Sequence, residues 1–175
     1  PNSIDGDEAQ ERPSEEALRH AMEWRVADSF TIPSKGLKGV AALRQVLAGF
    51  EVSGHHFPGR PVYFGVPLYD SFMGGETGRT GKVLMPQQGE RAQGHHAMVF
   101  VGYRDGGAPG GGYFIVRNSW GERWGRNNPD GSGHCYIPYR YIQKLGHPMA
   151  YGLLTPEEAE HFGGEPVVAG AGDHA

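Results

Sequence analysis

The strongest constraint on this chain comes from two apolar segments edged by glycine, residues 94–103 and 112–125. Each segment predicts a β-strand with one polar side chain suited to acid–base chemistry, because apolar runs bounded by turn residues are typical of buried strands. The first strand carries His96, and the second is followed by Asn118. Two side chains placed in this way can meet across a sheet, where the amide would orient the imidazole beside a nucleophile.

The two segments resemble the C-terminal half of a papain-like cysteine peptidase. That family has a His-Ala pair running into a hydrophobic strand, and then an Asn-Ser-Trp-Gly box with a second Trp-Gly. The matching residues here are His96-Ala97, residues 118–121 and Trp124-Gly125. The resemblance runs from about Glu15 to Leu154. It implies an α+β fold in which an antiparallel, β-barrel-type lobe packs with one or two flanking helices.

The resemblance also assigns roles to individual residues. His96 matches the catalytic histidine, which protonates the leaving amine in this family. Asn118 matches the residue that accepts a hydrogen bond from the ring nitrogen facing away from the sulfur, and Trp120 matches the residue that covers this bond from water. His95 points away from His96 because side chains alternate along a strand. The resemblance places His95 and Ala97 in the substrate pocket.

The nucleophile is not recognisable in this sequence. The single cysteine, Cys135, lies in a predicted strand without the glycine-rich helix start that lowers a thiol pKa. In the family, the cysteine precedes the histidine by about 130–150 residues, which counts back beyond Pro1. The resemblance therefore implies that the thiolate belongs to an N-terminal Cys-bearing lobe on another polypeptide. The expected partners are that lobe and a peptide or protein substrate.

Two other functions stay open at this point. The chain could be a non-catalytic, peptidase-like binding module, or an acyl transferase or transpeptidase in which an amine captures the thioester. Asn118 could also be an ordinary turn residue, and Trp124 is interpreted as a packing residue. Against the binding module, each catalytic position expected in this half holds the residue type that the chemistry requires.

Composition excludes several classes of protein. The formal net charge of −4 and the pI of about 6.1 argue against a nucleic-acid-binding protein, which usually has a basic face. No apolar run approaches the ~18–20 residues of a membrane span. The pairs His55-His56 and His95-His96 lack the spacing of a metal site, because adjacent histidines point apart. No metal or cofactor is expected, and the compartment stays undetermined.

The predicted organisation has three parts. Residues 1–13 form a polar lead-in, residues 14–154 the peptidase-like lobe, and residues 155–175 an acidic and then Gly/Ala-rich tail expected to be disordered beyond one or two helical turns. Such a half-fold would leave an apolar surface uncovered unless a partner covers it. Within the lobe, apolar periodicity predicts helices over 14–28 and 40–50, and strands over 62–66, 82–85, 97–103, 113–116 and 134–138. The strand at 97–103 is expected to be central and buried on both faces.

Overall fold

The structure is a computed structural model that describes residues 12–163. Most of the predicted lead-in and the Gly/Ala-rich tail therefore lie outside the described residues. Within them the chain forms six helices and eight strands. The helices are Glu15–Glu23 (α1), Gly36–Ala48 (α2), Asp70–Met73 (α3), Gly75–Thr80 (α4), Tyr139–Leu145 (α5) and Pro156–Phe162 (α6). The strands are Asp28–Pro33 (β1), Gly49–Val52 (β2), His55–Pro58 (β3), Val62–Leu68 (β4), Gly94–Asp105 (β5), Gly112–Arg117 (β6), His134–Pro138 (β7) and Met149–Leu154 (β8).

Six of these strands form one antiparallel sheet in the order β1-β8-β4-β5-β6-β7. This arrangement confirms the predicted α+β class. The sheet stays open, with β1 and β7 at its two edges, so the described residues do not form a closed barrel. The strands β2 and β3 form a separate hairpin.

The core lies on one face of this sheet. Phe64, Phe100 and Phe114 come from three neighbouring strands, and their rings contact one another in sequence, with centroid distances of 3.5 and 4.4 Å. Helix α2 covers this face with Val40, Leu43 and Val46, which recur at helical spacing and are all buried. Burying side chains of this size contributes roughly 1.5–3 kcal/mol each.

Strand β5 is central, as predicted, but it is not buried on both faces. Its burial alternates: Met98 and Phe100 are buried, whereas Ala97 and Val101 are exposed. The continuous apolar sequence masks this alternation because the open face of the sheet also carries apolar side chains. A β-bulge shifts the register between β5 and β6 at residues 100–102.

Several predicted boundaries differ from the structure. Residues 82–85 do not form a strand, and Lys82 makes only an isolated bridge to Tyr136 at the edge of β7. Strand β3 is absent from the predicted elements, and it follows a turn at Ser53 and Gly54. Both turn residues have positive φ, as a two-residue hairpin requires. Strands β1 and β8 are absent from the predicted elements. In β8 the exposed residues Tyr151 and Leu153 are as apolar as the buried Leu154, so hydropathy does not mark the buried face.

The hairpin and α6 enclose a second aromatic cluster against β1. The rings of Phe30, Phe57 and Phe162 pack together, with centroid distances of 4.8 and 5.7 Å from Phe162 to the other two. Gly152 of β8 lies opposite Phe30 of β1, and a Cβ on Gly152 would lie 2.2 Å from the Phe30 ring. A glycine is therefore required in the middle of this strand.

A partly buried ion pair fastens α6 to the body of the protein. Arg60 Nη2 and Nη1 donate to the two carboxylate oxygens of Glu158 at 2.7 and 3.0 Å, and Nη1 also donates to the Leu153 carbonyl at 2.9 Å. Thr155 caps the same helix by accepting the Glu158 N–H. These contacts hold the pKa of Glu158 below its usual range, with the hydrogen bonds from Arg60 as the largest cause.

Helix α1 begins where predicted but ends at Glu23, short of the predicted end at residue 28, where β1 begins. Ser14 caps it by accepting the Ala17 N–H, and Glu15 and Glu16 lie in its first turn. No residue of this helix is buried. The apolar side chains on and just after it are exposed: Leu18, Met22, Trp24 and Val26.

We predict that Glu158→Gln lowers the free energy of unfolding by about 2 kcal/mol at neutral pH, the order typical of hydrogen bonds to charged groups. Because the folded pKa is lowered, this stabilisation is present above the usual glutamate range and is lost as the pH falls through the folded pKa. Urea denaturation followed by circular dichroism should show the stabilities of the two proteins converging as the pH falls below the usual glutamate range.

Glu76→Gln is the matched control, because Glu76 pairs with Arg79 on the surface of one helix. Its effect should stay below about 0.5 kcal/mol. An equal effect of the two substitutions would contradict the anchoring role of Arg60 and Glu158.

Candidate active site

His96 lies at the rim of the core, near the beginning of β5. It is directly opposite Val66 of β4 and shares a face with the buried residues Met98 and Phe100. The imidazole itself is partly exposed. The imidazole of His96 therefore lies between β4 and the core, and part of the ring stays accessible to solvent.

Asn118 immediately follows β6, the next strand in the sheet, and its side chain meets His96. Asn118 Oδ1 lies 2.8 Å from His96 Nε2. The Asn118 side chain is almost fully buried, with 5% of the residue exposed. Its main-chain N–H donates to the Gly133 carbonyl at 2.9 Å, so the start of the β6–β7 loop is tied to the end of the same loop.

The hydrogen bonds around Asn118 fix which imidazole nitrogen carries a hydrogen. The Ser119 main-chain N–H donates to Asn118 Oδ1 at 2.7 Å, which identifies this atom as oxygen because an amide nitrogen there would face the Ser119 donor. His96 Nε2 must then donate to the same oxygen. In the neutral ring, His96 Nδ1 keeps its lone pair, and it makes no hydrogen bond to any described residue.

Trp120 covers one face of the imidazole. The two rings are nearly parallel, with centroids 4.8 Å apart and an interplanar angle of 23°. Excluding water from one side of the His96–Asn118 hydrogen bond lowers the local dielectric and strengthens that bond. The structure therefore brings together the three residues predicted to form the site: His96, Asn118 and Trp120. Their catalytic roles remain a prediction.

The second tryptophan of the motif supports the first. Trp124 stands edge-on to Trp120 at 5.2 Å and stacks on Phe72 of α3 at 6.2 Å. Phe72 also meets Trp120 edge-on at 6.1 Å. Trp124 is partly buried against the core, in agreement with its interpretation as a packing residue.

The glycine after Trp124 is required by a close backbone approach. Gly125 has a φ of 58°, and a Cβ at this position would lie 2.3 Å from the His134 carbonyl oxygen. Its N–H donates to the Gly78 carbonyl of α4 at 2.6 Å. The β6–β7 loop that carries Asn118 and Trp120 is therefore docked on α4, and a larger residue would displace it.

The predicted pocket residues lie on the other face of β5. His95 and Ala97 are both exposed, and alternation turns them away from the core that His96 borders. They pair with Pro67 and Gly65 of β4. This position is next to the imidazole but on a different surface, and their role in a substrate pocket remains a prediction.

Two residues near the site, Phe72 and Glu90, are not predicted from the sequence. The one sequence signal for Phe72 is Asp70, an acidic residue in the first turn of the short helix that carries Phe72. The Glu90 carboxylate accepts the main-chain N–H groups of Ser71 and Gln87. No sequence pattern indicates such a contact, because it joins a loop to a helix 19 residues away.

Cys135 is the second residue of β7 and is fully buried. Burial raises the pKa of its thiol far above the usual range, which keeps it protonated and unreactive at neutral pH.

Within residues 12–163, no cluster of three or more His, Cys, Asp or Glu side chains could hold a metal ion. No helix in this part of the chain is long and apolar enough to cross a membrane.

Comparison with known proteins supports the resemblance found in the sequence. Residues 59–131 match the family model described as papain family cysteine protease. The chain is 38% identical over 84 residues to a peptidase C1-like protein of Acanthamoeba polyphaga mimivirus, covering 48% of this chain and 24% of that protein. It is 45% identical over 60 residues to cysteine protease 1 of Oryza sativa subsp. japonica, covering 34% and 10%, respectively.

A solved structure extends this similarity to the fold. Xylellain, a cysteine protease from Xylella fastidiosa, matches 86% of this chain with a TM-score of 0.57 and 25% sequence identity. The match covers 48% of xylellain. The chain thus spans about half of this relative, and a quarter or less of the two curated proteins above.

We predict that Asn118→Ala removes the tautomer preference of His96. In the wild-type protein, the neutral imidazole should carry its hydrogen on Nε2 because Asn118 Oδ1 accepts it. In the variant, ¹⁵N chemical shifts of the ring should report both tautomers. Stability should fall by about 1–3 kcal/mol, because the Ser119 N–H also loses its acceptor.

Asn127→Ala is the control, since Asn127 is an exposed amide of the same loop. It should leave the ring shifts of His96 unchanged. A single Nε2–H tautomer in Asn118→Ala would show that the amide does not set the tautomer of the His96 ring.

Proposed function

The chain is related through residues 59–131 to the papain family cysteine proteases, and we propose that it supplies the His- and Asn-bearing half of such a peptidase. The proposal assigns peptide-bond hydrolysis to a thiolate contributed by a separate N-terminal polypeptide. The observation that carries the proposal is the His96–Asn118 hydrogen bond, which leaves His96 Nδ1 available to a sulfur.

The geometry fits the acid–base half of thiol chemistry. A cysteine beside His96 Nδ1 would transfer its proton to the ring and form a thiolate–imidazolium pair. The thiolate attacks the peptide carbonyl carbon, and the imidazolium returns the proton to the amine as the C–N bond breaks. Water then attacks the thioester carbonyl carbon while the imidazole accepts one of its protons, and the C–S bond breaks to release the acid product and restore the thiolate–imidazolium pair. Asn118 keeps the ring oriented throughout, and an amide suffices because the ion pair already balances its own charge.

The nucleophile in this proposal cannot be Cys135. Its sulfur is fully buried in β7, and the raised pKa keeps it in the thiol form. Cys135 pairs with Val116 of β6, and both side chains are buried in the core. Val116 precedes Asn118 by two residues. The sequence contains no other cysteine, which supports a thiolate from outside these 175 residues.

Uncovered apolar surface supports a partner. On the face of the sheet opposite α2, Tyr63, Val101, Tyr151 and Leu153 are exposed. This face continues to His95 and Ala97 at the His96 end of β5. A contiguous apolar patch next to a candidate site is typical of a surface that another protein element covers. We propose that the N-terminal, Cys-bearing lobe covers this face and extends over the rim of the sheet to the accessible edge of the His96 imidazole, and that peptides or proteins are the substrates.

We predict that His96→Ala lowers peptide hydrolysis by the assembled protein by about 10²–10⁴-fold, the usual contribution of a general acid–base group. Asn118→Ala should lower it less, because the amide orients the ring and does not itself transfer the proton. The measurement is turnover of a fluorogenic peptide, with folding of each variant verified by circular dichroism. Equal turnover by wild-type protein and His96→Ala would exclude His96 from the chemistry.

Cys135→Ala is the matched control for the nucleophile. It should keep its activity while losing about 1 kcal/mol of stability, because a small buried group is removed. Mass spectrometry after treatment with a thiol-reactive epoxide then locates the reactive sulfur. A label on a separate polypeptide would support the two-chain proposal, a label on the same longer chain would refute only its two-chain part, and a label on Cys135 would refute both.

A further inference from the structure

We propose that Glu90 is a positioning residue for His96 and Trp120, because its carboxylate joins the loop that leads into β5 to the first turn of α3. The consequence for catalysis rests on the proposed function above. The effect on the geometry of the two rings does not depend on that function, so the two can fail separately.

The contacts of Glu90 are made with main-chain groups on two segments. One carboxylate oxygen accepts the Ser71 N–H at the beginning of α3, and the other accepts the Gln87 N–H at 2.8 Å. The Glu90 N–H donates to the Gln87 carbonyl at 3.1 Å, so the turn closes on itself. These donors, the Ser71 N–H first, lower the pKa of Glu90, so the side chain stays ionised at neutral pH.

The loop fastened in this way leads directly to His96. Three residues after Glu90, the Gln93 N–H donates to the Leu68 carbonyl at 2.8 Å, at the end of β4. Gly94 then begins β5 opposite Leu68, and His96 follows opposite Val66. The entrance to β5 is therefore attached to the β4–α3 corner at two points, one of which is the Glu90–Ser71 contact.

The same contact fixes the support of Trp120. Phe72 follows Ser71 and is fully buried, with its ring against both Trp120 and Trp124. Fixing the main chain at Ser71 therefore fixes where Phe72 stands. Glu90 links both sides of the His96–Trp120 stack: it reaches His96 through the loop into β5 and Trp120 through Phe72.

A residue that merely stabilises the loop would behave differently. Substituting a residue that only stabilises the loop lowers the melting temperature but leaves the folded geometry at His96 unchanged. Removing a positioning residue changes the distance or angle between the imidazole and the indole in the folded protein. The ring protons of His96 report this difference, because the stacked Trp120 ring shifts their NMR signals upfield.

The test compares the His96 ring-proton shifts of the wild-type protein, Glu90→Gln and Trp120→Leu, which gives the unstacked value. Glu90→Gln keeps the shape of the side chain but turns an amide nitrogen toward one of the two main-chain donors. We expect its His96 signals to move from the wild-type value toward that of Trp120→Leu. Asp70→Asn is the control: Asp70 is an exposed carboxylate beside Ser71 with only a 3.4 Å contact to Gln93, and it should not move them.

Unchanged His96 signals in folded Glu90→Gln would overturn the proposal, even if the melting temperature falls. If Glu90→Gln does not fold, Glu90→Asp is measured by the same criterion, because it keeps the charge and shortens the reach. Failure of both variants to fold would also overturn it, since the role proposed is in geometry and not in folding.

In the assembled peptidase, Glu90→Gln should lower kcat and leave KM unchanged. A wild-type protein without activity would count against the proposed function alone.

Discussion

The amide oxygen of Asn118 is the point on which the arrangement of the site depends. It accepts one hydrogen from the next residue of its own chain and one from His96 on the neighbouring strand. The first bond fixes the side chain relative to the end of β6, and the second transmits that orientation to the imidazole. Since an oxygen with two donors cannot rotate without losing both, two local contacts define the direction of the free ring nitrogen.

The aromatic residues behind this pair form a continuous packed series. The imidazole stacks on Trp120, which meets Trp124 and Phe72, and Phe72 in turn contacts the buried Tyr141. The Tyr141 hydroxyl donates to the Pro67 carbonyl at 2.7 Å, which returns the series to β4. Such a closed arrangement resists displacement of any single ring, because protein interiors are close-packed and tolerate few voids.

The sequence predicts those parts of the structure that leave a local pattern, either an apolar run or a short motif. Strand β7 has the predicted bounds, and the strand carrying His96 was identified from its apolar run. The His96–Asn118 pair followed from the motif. The exposure of Val101 was not predictable, because an apolar residue on an open sheet face has the same hydropathy as one in the core. The contact between Glu90 and Ser71 depends on how two distant segments meet, and periodicity contains no information about that.

The bulge between β5 and β6 decides which side chains at the far end of β5 face the core. On one side of it, Phe100 faces Val116, and on the other side Gly102 faces Ile115. A shift of one residue normally turns every side chain to the opposite face. Here the extra residue changes the alternation, so Phe100 and Tyr103, three residues apart, pair with the buried residues Val116 and Phe114. Tyr103 therefore packs against the core, although strict alternation from Phe100 would turn it to the open face of the sheet.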